Sequence, residues 1–292
     1  MTGPPWWSSS WSSRAMASAL VVSYDGSAFH GVARQPGLRT VAGRIEEALS
    51  IIGQRPIQLA VAGRTDAGVH ARAQVFSCAE EIDPTVAGRI GKLSGGGLAV
   101  RSIVPVEDGF HARFSARFRQ YVYRIRLAVD DPGYAGRAWL AGPGIDAELL
   151  GAALSAATGQ RDFSALCKAR SAGGFQRHLL ASEVVVSSGF VDVIVVGVSF
   201  CQQLVRRLVG NAVAVATGRL GLAEFEGALG AFDRARLATV APAGGLYLWR
   251  VGYGDNWQWV FDSYRKAGFE AEWVGFQPDE LGLGIECYPC VG

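Results

Sequence analysis

The chain has 292 residues, of which 49% are hydrophobic and 18% are charged, and its formal net charge is +2 at neutral pH. This composition is typical of one large or two ordinary globular domains, and the small net charge does not by itself indicate a nucleic-acid partner. No run reaches the ~20 apolar residues that span a bilayer, and no signal-peptide segment is evident, so we expect a cytoplasmic protein without membrane association. Cys78, Cys167 and Cys201 are scattered singly, and the odd total of five cysteines argues against a closed set of disulfides.

The N-terminal part of the chain predicts one α/β unit. Residues 1–18, rich in Ser, Trp and Pro, lack periodicity and are interpreted as an N-terminal extension. Apolar periodicity and turn residues then indicate the order β-α-β-β-α-β. The predicted elements are strands at 20–24, 58–62, 74–79 and 98–104, and helices at 40–52 and 86–93.

The second part of the chain follows a similar plan without evident sequence identity to the first. Its predicted elements are strands at 120–128, 179–186, 190–198 and 245–253, and helices at 146–158 and 204–216. Both parts fit a ferredoxin-like split βαβ arrangement, so we expect an α/β (α+β) fold. The expected subdomains are 19–110 and 111–254, followed by a C-terminal extension of unknown role at 255–292.

The strongest local signal is the sequence GRTDAGVH at residues 63–70, between two predicted strands. Its small residues allow a tight turn and close backbone approach, and four polar side chains are concentrated within it. On the residues alone, the commoner interpretation is an Asx-type turn in which Asp66 caps its own backbone. By itself the loop is therefore only a candidate site.

Further motifs follow one another in the order found in a known family. They are Tyr24-Asp25-Gly26 with Phe29, Gly31 and Gln35; the loop at 63–70 with Ala71 and Gln74-Val75; the segment 110–116 followed by 121–125; the segment 159–164; the segment 200–210; and Ala241-Pro242-Ala243 with 245–248. Over about residues 19–254 the chain resembles the tRNA pseudouridine synthase A family. One such match could arise by chance, but six in the right order indicate common descent.

The resemblance implies isomerisation of uridine to pseudouridine in the anticodon stem-loop of tRNA, at positions 38 to 40. It implies two ferredoxin-like subdomains, the first of them catalytic, whose sheets join into one mixed or antiparallel sheet with helices on one side and a central cleft. It also implies a homodimer with tRNA as its partner, and neither a metal nor an organic cofactor. Two alternatives stay open: an RNA-binding homologue that has lost catalysis, and a synthase with a different RNA target.

The reaction needs a carboxylate beside the ribose. The bond from C1′ to N1 is broken and a bond from C1′ to C5 is made, so the carboxylate either adds to C1′ or removes a proton from C2′. Asp66 is the candidate for either role. A carboxylate in a closed cleft needs a cation beside it, and the resemblance assigns this role to Arg206. Without the resemblance, Arg206 reads as a surface helix arginine no different from Arg207.

Several residues are candidates for contact with RNA. Tyr121 begins an alternating strand, and the resemblance implies that it stacks on the target base and takes the C5 proton late in the reaction. Arg64 would support the flipped nucleotide, and His70 could contact RNA or be a structural histidine. Arg113, Arg119 and Arg124 belong to a basic stretch interleaved with aromatic residues, which suits phosphate binding and base stacking but is also typical of a solvated strand face.

The chain departs from the family in three places. Val32 replaces a usual Trp, Gln202-Gln203 replace residues that often include His, and the segment 92–98, KLSGGGL, differs near the expected cleft. The last change puts the target uridines in doubt. Cys287 and Cys290 have the spacing of half a zinc site, but no second such pair exists and we expect no metal.

Overall fold

A computed structural model describes residues 17–127, 132–142, 144–168 and 174–274. Most of the expected N-terminal extension and the pair Cys287 and Cys290 lie outside these described residues. The first strand begins at Ala17, three residues before the predicted strand at 20–24.

All strands in the described part of the chain join one sheet. They are β1 Ala17–Tyr24, β2 Ala60–Val61, β3 His70–Cys78, β4 Leu98–Val106, β5 Phe118–Arg126, β6 Trp139–Leu140, β7 Gly159–Asp162, β8 Gln176–Ser187, β9 Phe190–Gly197 and β10 Leu246–Gly252. The strand order is β4-β1-β3-β10-β5-β9-β8-β7, with β2 paired to β3 and β6 to β5. The prediction of a single mixed sheet built from two halves is confirmed.

The last strand joins the two halves. β10 pairs in parallel with β3, with Tyr247 opposite His70, and antiparallel with β5, with Leu248 opposite Tyr121. A parallel neighbour requires a long crossover connection, which the whole C-terminal half supplies here. The start of β10 therefore lies between the start of β3 and the middle of β5, and these two strands each carry a candidate site residue, His70 and Tyr121, close to this junction.

Six helices accompany the sheet in the described residues. They are α1 Val41–Gly53, α2 Ala87–Leu93, α3 Ala147–Ala156, α4 Leu204–Ala216, α5 Leu222–Gly230 and α6 Trp259–Val274. Thr40 caps α1 by accepting a hydrogen bond from the Gly43 amide at 3.3 Å, and Asp146 caps α3 in the same way. The predicted helices at 40–52 and 204–216 are confirmed, whereas the sequence analysis did not identify α5 or α6.

The core has two parts, one on each face of β5. Tyr121, Tyr123 and Ile125 belong to the larger part, which also receives the apolar sides of α1 to α5. Phe118 and Val122 alternate with them and belong to a second cluster, which α6 covers. The described residues of the expected C-terminal extension, 255–274, are thus part of the folded domain, and they add a helix of 16 residues on the face opposite the other five.

One expectation about the cysteines is wrong. Cys167 and Cys201 are joined in a disulfide with Cα atoms 5.8 Å apart, whereas the Cys78 thiol is free and buried. Sequence spacing could not predict this pair, because the cysteines are 34 residues apart and meet only when the loop after β7 packs against the start of α4. Among the described residues, no helix is both long and apolar enough to cross a bilayer.

Candidate active site

The loop between β2 and β3 turns sharply just after Asp66. The Val69 amide donates to the Asp66 carbonyl at 3.2 Å, and Gly68 adopts a φ of +80°, which a glycine accepts without strain. Gly31 packs so closely that an added Cβ would lie 3.0 Å from the Thr65 carbonyl oxygen. The small residues therefore serve the close backbone approach that the sequence predicts.

The Asp66 carboxylate faces the start of α4. Its Oδ2 atom accepts from Arg206 Nη1 at 3.2 Å, and its Oδ1 atom lies 3.5 Å from the Gln202 amide nitrogen. Within the described chain these bonds come from α4 and the segment before it and not from the loop itself, so Asp66 does not form the Asx-type turn considered above. The Asp66 side chain is 27% exposed, so it is anchored and still open to a substrate.

Arg206 is held in place on its other side. Its Nε atom donates to the Ala241 carbonyl at 2.8 Å, and the Ala241 amide donates back to the Arg206 carbonyl at 3.0 Å. Arg207 points elsewhere and donates to the Leu237 carbonyl at 3.3 Å, because adjacent helix residues are about 100° apart around the axis. The structure thus distinguishes two arginines that the sequence alone could not.

Tyr121 lies beside the same loop. An added Cβ on Gly63 would be 3.8 Å from its phenol oxygen, and the ring packs edge-on against Phe200 with centroids 4.9 Å apart. Burial raises the pKa of Tyr121 above the usual range of a phenol, and the nearby Tyr24 and the Asp66 carboxylate add to this rise. Asp66, Arg206 and Tyr121 are therefore brought together, as the hypothesis requires.

Two residues of this cluster were not proposed as site residues from the sequence. Phe200 supports the Tyr121 ring, and Gln202 contacts the carboxylate even though it stands where the family often has His. Both lie in the segment directly before α4, and that position within a family motif is the one signal that could have identified them.

The remaining RNA-contact candidates fall into two groups. Arg64 and Arg113 are exposed, and Arg113 lies 5.5 Å from the ring of Phe114, which is itself 76% exposed. His70 is buried: its Nδ1 atom accepts from the Gly26 amide at 3.1 Å, its Nε2 atom lies 2.8 Å from the Gly136 carbonyl, and its ring stacks on Tyr247. Burial lowers the pKa of His70, which favours the neutral ring.

Arg119 and Arg124 are each only 7% exposed. Arg119 donates to four backbone carbonyls, the shortest of these bonds being 2.6 Å to Val198, and so ties several chain segments together. Arg124 lies on the α6 side of the sheet, 3.3 Å from Glu270 and 4.0 Å from the ring of Phe269. Arg119 and Arg124 are therefore internal, because other segments of the chain pack over both faces of their strand.

The divergent segment at 92–98 is held by two arginines. Arg39 donates to the Gly95 and Gly96 carbonyls at 2.8 and 2.7 Å, and Arg44 donates to the Ser94 carbonyl at 3.1 Å. The glycine run thus packs beside α1 and the loop that precedes it. Among the described residues, no group of three or more His, Cys, Asp or Glu side chains is placed to hold a metal ion.

Comparison with known proteins identifies the family of this chain. A family model described as tRNA pseudouridine synthase matches residues 153–254, which include Arg206. A tRNA pseudouridine synthase A from Cutibacterium acnes is 38% identical over 244 residues, covering 80% of this chain and 88% of that protein. Relatives of the same name from Frankia casuarinae and Geobacillus kaustophilus are 39% and 32% identical, covering 80% and 81% of this chain and 88% and 94% of their own lengths.

Among solved structures, a Cbf5-Nop10-Gar1 complex aligns with 67% of this chain and 44% of its own at a TM-score of 0.34 and 12% identity, a likeness too low to bear on function. The sequence relatives are decisive, because their identity extends over four fifths of the chain. The class is that of the pseudouridine synthases, isomerases that act on RNA. Within it, the chain belongs to the tRNA pseudouridine synthase A family.

Proposed function

We propose that this protein converts uridine to pseudouridine in the anticodon stem-loop of tRNA, at positions 38 to 40, with Asp66 as the reacting carboxylate. One observation carries the proposal: the Asp66 carboxylate is held 3.2 Å from Arg206, its side chain is partly exposed to solvent, and it lies near the phenol of Tyr121. An anchored but accessible carboxylate is what attack at a ribose requires.

The reaction is an isomerisation, so no atoms are gained or lost and no oxidant or reductant is needed. The C1′–N1 bond breaks and its electrons leave with the uracil; the base turns, C5 bonds to C1′, the proton on C5 is released, and N1 takes up a proton. Asp66 either adds to C1′ as the uracil leaves and is displaced when C5 attacks, or takes a proton from C2′ to give a glycal, and that proton returns to C2′ when C5 bonds to C1′. Arg206 orients the carboxylate through a charged hydrogen bond and is itself oriented by Ala241.

Tyr121 supplies a flat surface for the everted base. An extrahelical base gains from stacking on an aromatic ring, and Phe200 keeps this ring in one orientation. The raised pKa of Tyr121 keeps its phenol protonated, which favours a role as a stacking platform and hydrogen-bond donor over that of a resting base. Removal of the C5 proton by Tyr121 would require the phenol to lose its own proton first.

Exposed arginines around the cleft provide the phosphate contacts. Arg64 lies on the catalytic loop itself, and Arg113 lies close enough to Arg177 to help lower the pKa of that residue, after burial. The pKa of Arg207 is also lowered, first by burial and then by the positive charges of Arg234 and Arg206. Such local concentrations of positive charge suit an RNA backbone, even though the chain as a whole is nearly neutral. Arg119, Arg124 and His70 are not part of this proposed surface.

The test is release of tritium from tRNA labelled at C5 of uridine. We expect release by the wild-type protein and none by Asp66→Asn, with tRNA binding retained. Asp83→Asn is the matched control, because Asp83 only caps a turn at the Thr85 amide, 2.8 Å away. Binding without release by the wild type would support a non-catalytic RNA-binding protein, and release only from another RNA would support a different target.

We also propose that the protein acts as a homodimer in the cytoplasm. The support is the family to which it belongs and its tRNA substrate. Light scattering on the eluted peak of a size-exclusion column measures the molar mass, and a monomer across the working concentration range would refute the dimer.

A further inference from the structure

The catalytic loop rests on a buried polar cluster that no step of the proposed reaction uses. The cluster consists of Tyr24 at the end of β1, Thr65 in the loop and Gln74 on β3. We propose that Tyr24 and Gln74 are positioning residues that hold the loop so that Asp66 faces its substrate. This inference rests on the proposed role of Asp66.

The three side chains are hydrogen-bonded in sequence. The Tyr24 hydroxyl lies 2.7 Å from Thr65 Oγ1, and Gln74 Nε2 donates to the Gly63 carbonyl at 2.8 Å and lies 3.4 Å from the Tyr24 hydroxyl. The Tyr24 oxygen accepts from Gln74, and either hydroxyl of the Tyr24–Thr65 pair can donate in the bond between them. Side chains of β1 and β3 thereby hydrogen-bond to the loop at Thr65 and Gly63, just before Asp66.

These hydrogen bonds determine the directions in which the side chains of Thr65 and Asp66 point. Thr65 is turned into the protein interior towards Tyr24, and Asp66 next to it is turned towards Arg206 and solvent. The loop backbone has its own ties, since Val32 donates to the Thr65 carbonyl and Val69 to the Asp66 carbonyl, both at 3.2 Å. Loss of the Tyr24 hydroxyl should therefore let the Asp66 side chain adopt more orientations, while the backbone hydrogen bonds keep the loop in place.

Tyr24 itself is suited to this role and not to acid–base work. Burial raises its pKa to about 12, although its bonds to Thr65 and Gln74 oppose the rise. The phenol thus stays neutral and protonated at working pH, so its hydrogen bonds to Thr65 and Gln74 persist without a buried charge. A small displacement of a reacting group reduces the rate more than it reduces binding, so the effect should appear in the chemical step.

The experiment compares Tyr24→Phe and Thr65→Val with Tyr253→Phe under single turnover with C5-tritiated tRNA. Tyr253 is a matched control, because its buried hydroxyl also donates a hydrogen bond, to the Ala112 carbonyl at 2.9 Å. We expect Tyr24→Phe and Thr65→Val each to slow release by about 10-fold, with tRNA affinity within about two-fold of wild type. Tyr253→Phe should keep the wild-type rate, and Thr65→Ser should restore most of it.

The rate of the double variant tests whether Tyr24 and Thr65 act through the same hydrogen bond. Because the two hydroxyls share one hydrogen bond, Tyr24→Phe combined with Thr65→Val should be no slower than either single variant. Losses that multiply, or a Tyr24→Phe rate equal to that of Tyr253→Phe, would overturn the inference. Asp66→Asn is assayed alongside: release by that variant would overturn the proposed function instead. Melting temperatures similar to that of Tyr253→Phe exclude a general loss of fold as the cause.

Discussion

Replacement of Arg206 by Gln tests the ion pair at the centre of the proposed site. Arg206 donates to Asp66 at 3.2 Å and to the Ala241 carbonyl at 2.8 Å. A hydrogen bond between charged groups contributes about 1.5–3 kcal/mol, and each 1.36 kcal/mol corresponds to about a factor of ten in rate. Because the two side chains are 16% and 27% exposed, solvent screens part of this energy. We therefore expect the chemical step to slow by about 10- to 50-fold.

Arg206→Lys should lie between the wild type and Arg206→Gln. Lysine keeps the positive charge, but a single ammonium cannot satisfy both the carboxylate and the Ala241 carbonyl in the way a guanidinium fork does. Arg207→Gln is the matched control, since it removes one positive charge from the same helix and its guanidinium donates to the Leu237 carbonyl instead. It should weaken tRNA binding at moderate salt and leave the chemical step nearly unchanged.

The assay is single-turnover release of tritium from C5-labelled tRNA, with tRNA affinity measured separately at one fixed salt concentration. A rate for Arg206→Gln that equals that of Arg207→Gln would refute the reasoning, because both variants lose the same charge. So would a loss confined to tRNA affinity, which would make Arg206 a phosphate contact.

Two further predictions concern stability. Burial lowers the pKa of His70 in the folded protein, so as the pH falls the imidazole is protonated in the unfolded chain before it is protonated in the folded one. The contribution of His70 to the free energy of unfolding is therefore complete above about pH 6.5 and is lost as the pH falls below that value. The urea midpoint of the wild type should fall between about pH 7 and 5 more steeply than that of His70→Gln, and equal slopes would contradict this. Reduction of the Cys167–Cys201 disulfide, or its replacement by two serines, should lower the free energy of unfolding by about 4 kcal/mol, as loop closure over a separation of 34 residues implies. A urea midpoint unaffected by reductant would refute the second prediction.

Local patterns in the sequence identified the parts of the site. The periodicity of α4, the alternation of β5 and the small residues around Asp66 are short-range features, because helix and strand periods and turn geometry depend on neighbouring residues. The family motifs then indicated that Asp66, Tyr121 and Arg206 act together. In the structure these three residues meet, although they come from different elements.

The tertiary structure decided everything that depends on which distant segments pack together. Arg119 and Arg124 look like RNA contacts along the chain, yet loop segments cover Arg119 on one face of their strand and α6 covers Arg124 on the other. Three other features are likewise contacts between distant segments: the Cys167–Cys201 disulfide, the packing of α6 on the second core cluster, and the hydrogen bond between Tyr24 and Thr65. The residues next to one another in the sequence determine whether a segment forms a helix or a strand. Which distant residue a side chain contacts is decided by how the whole core packs.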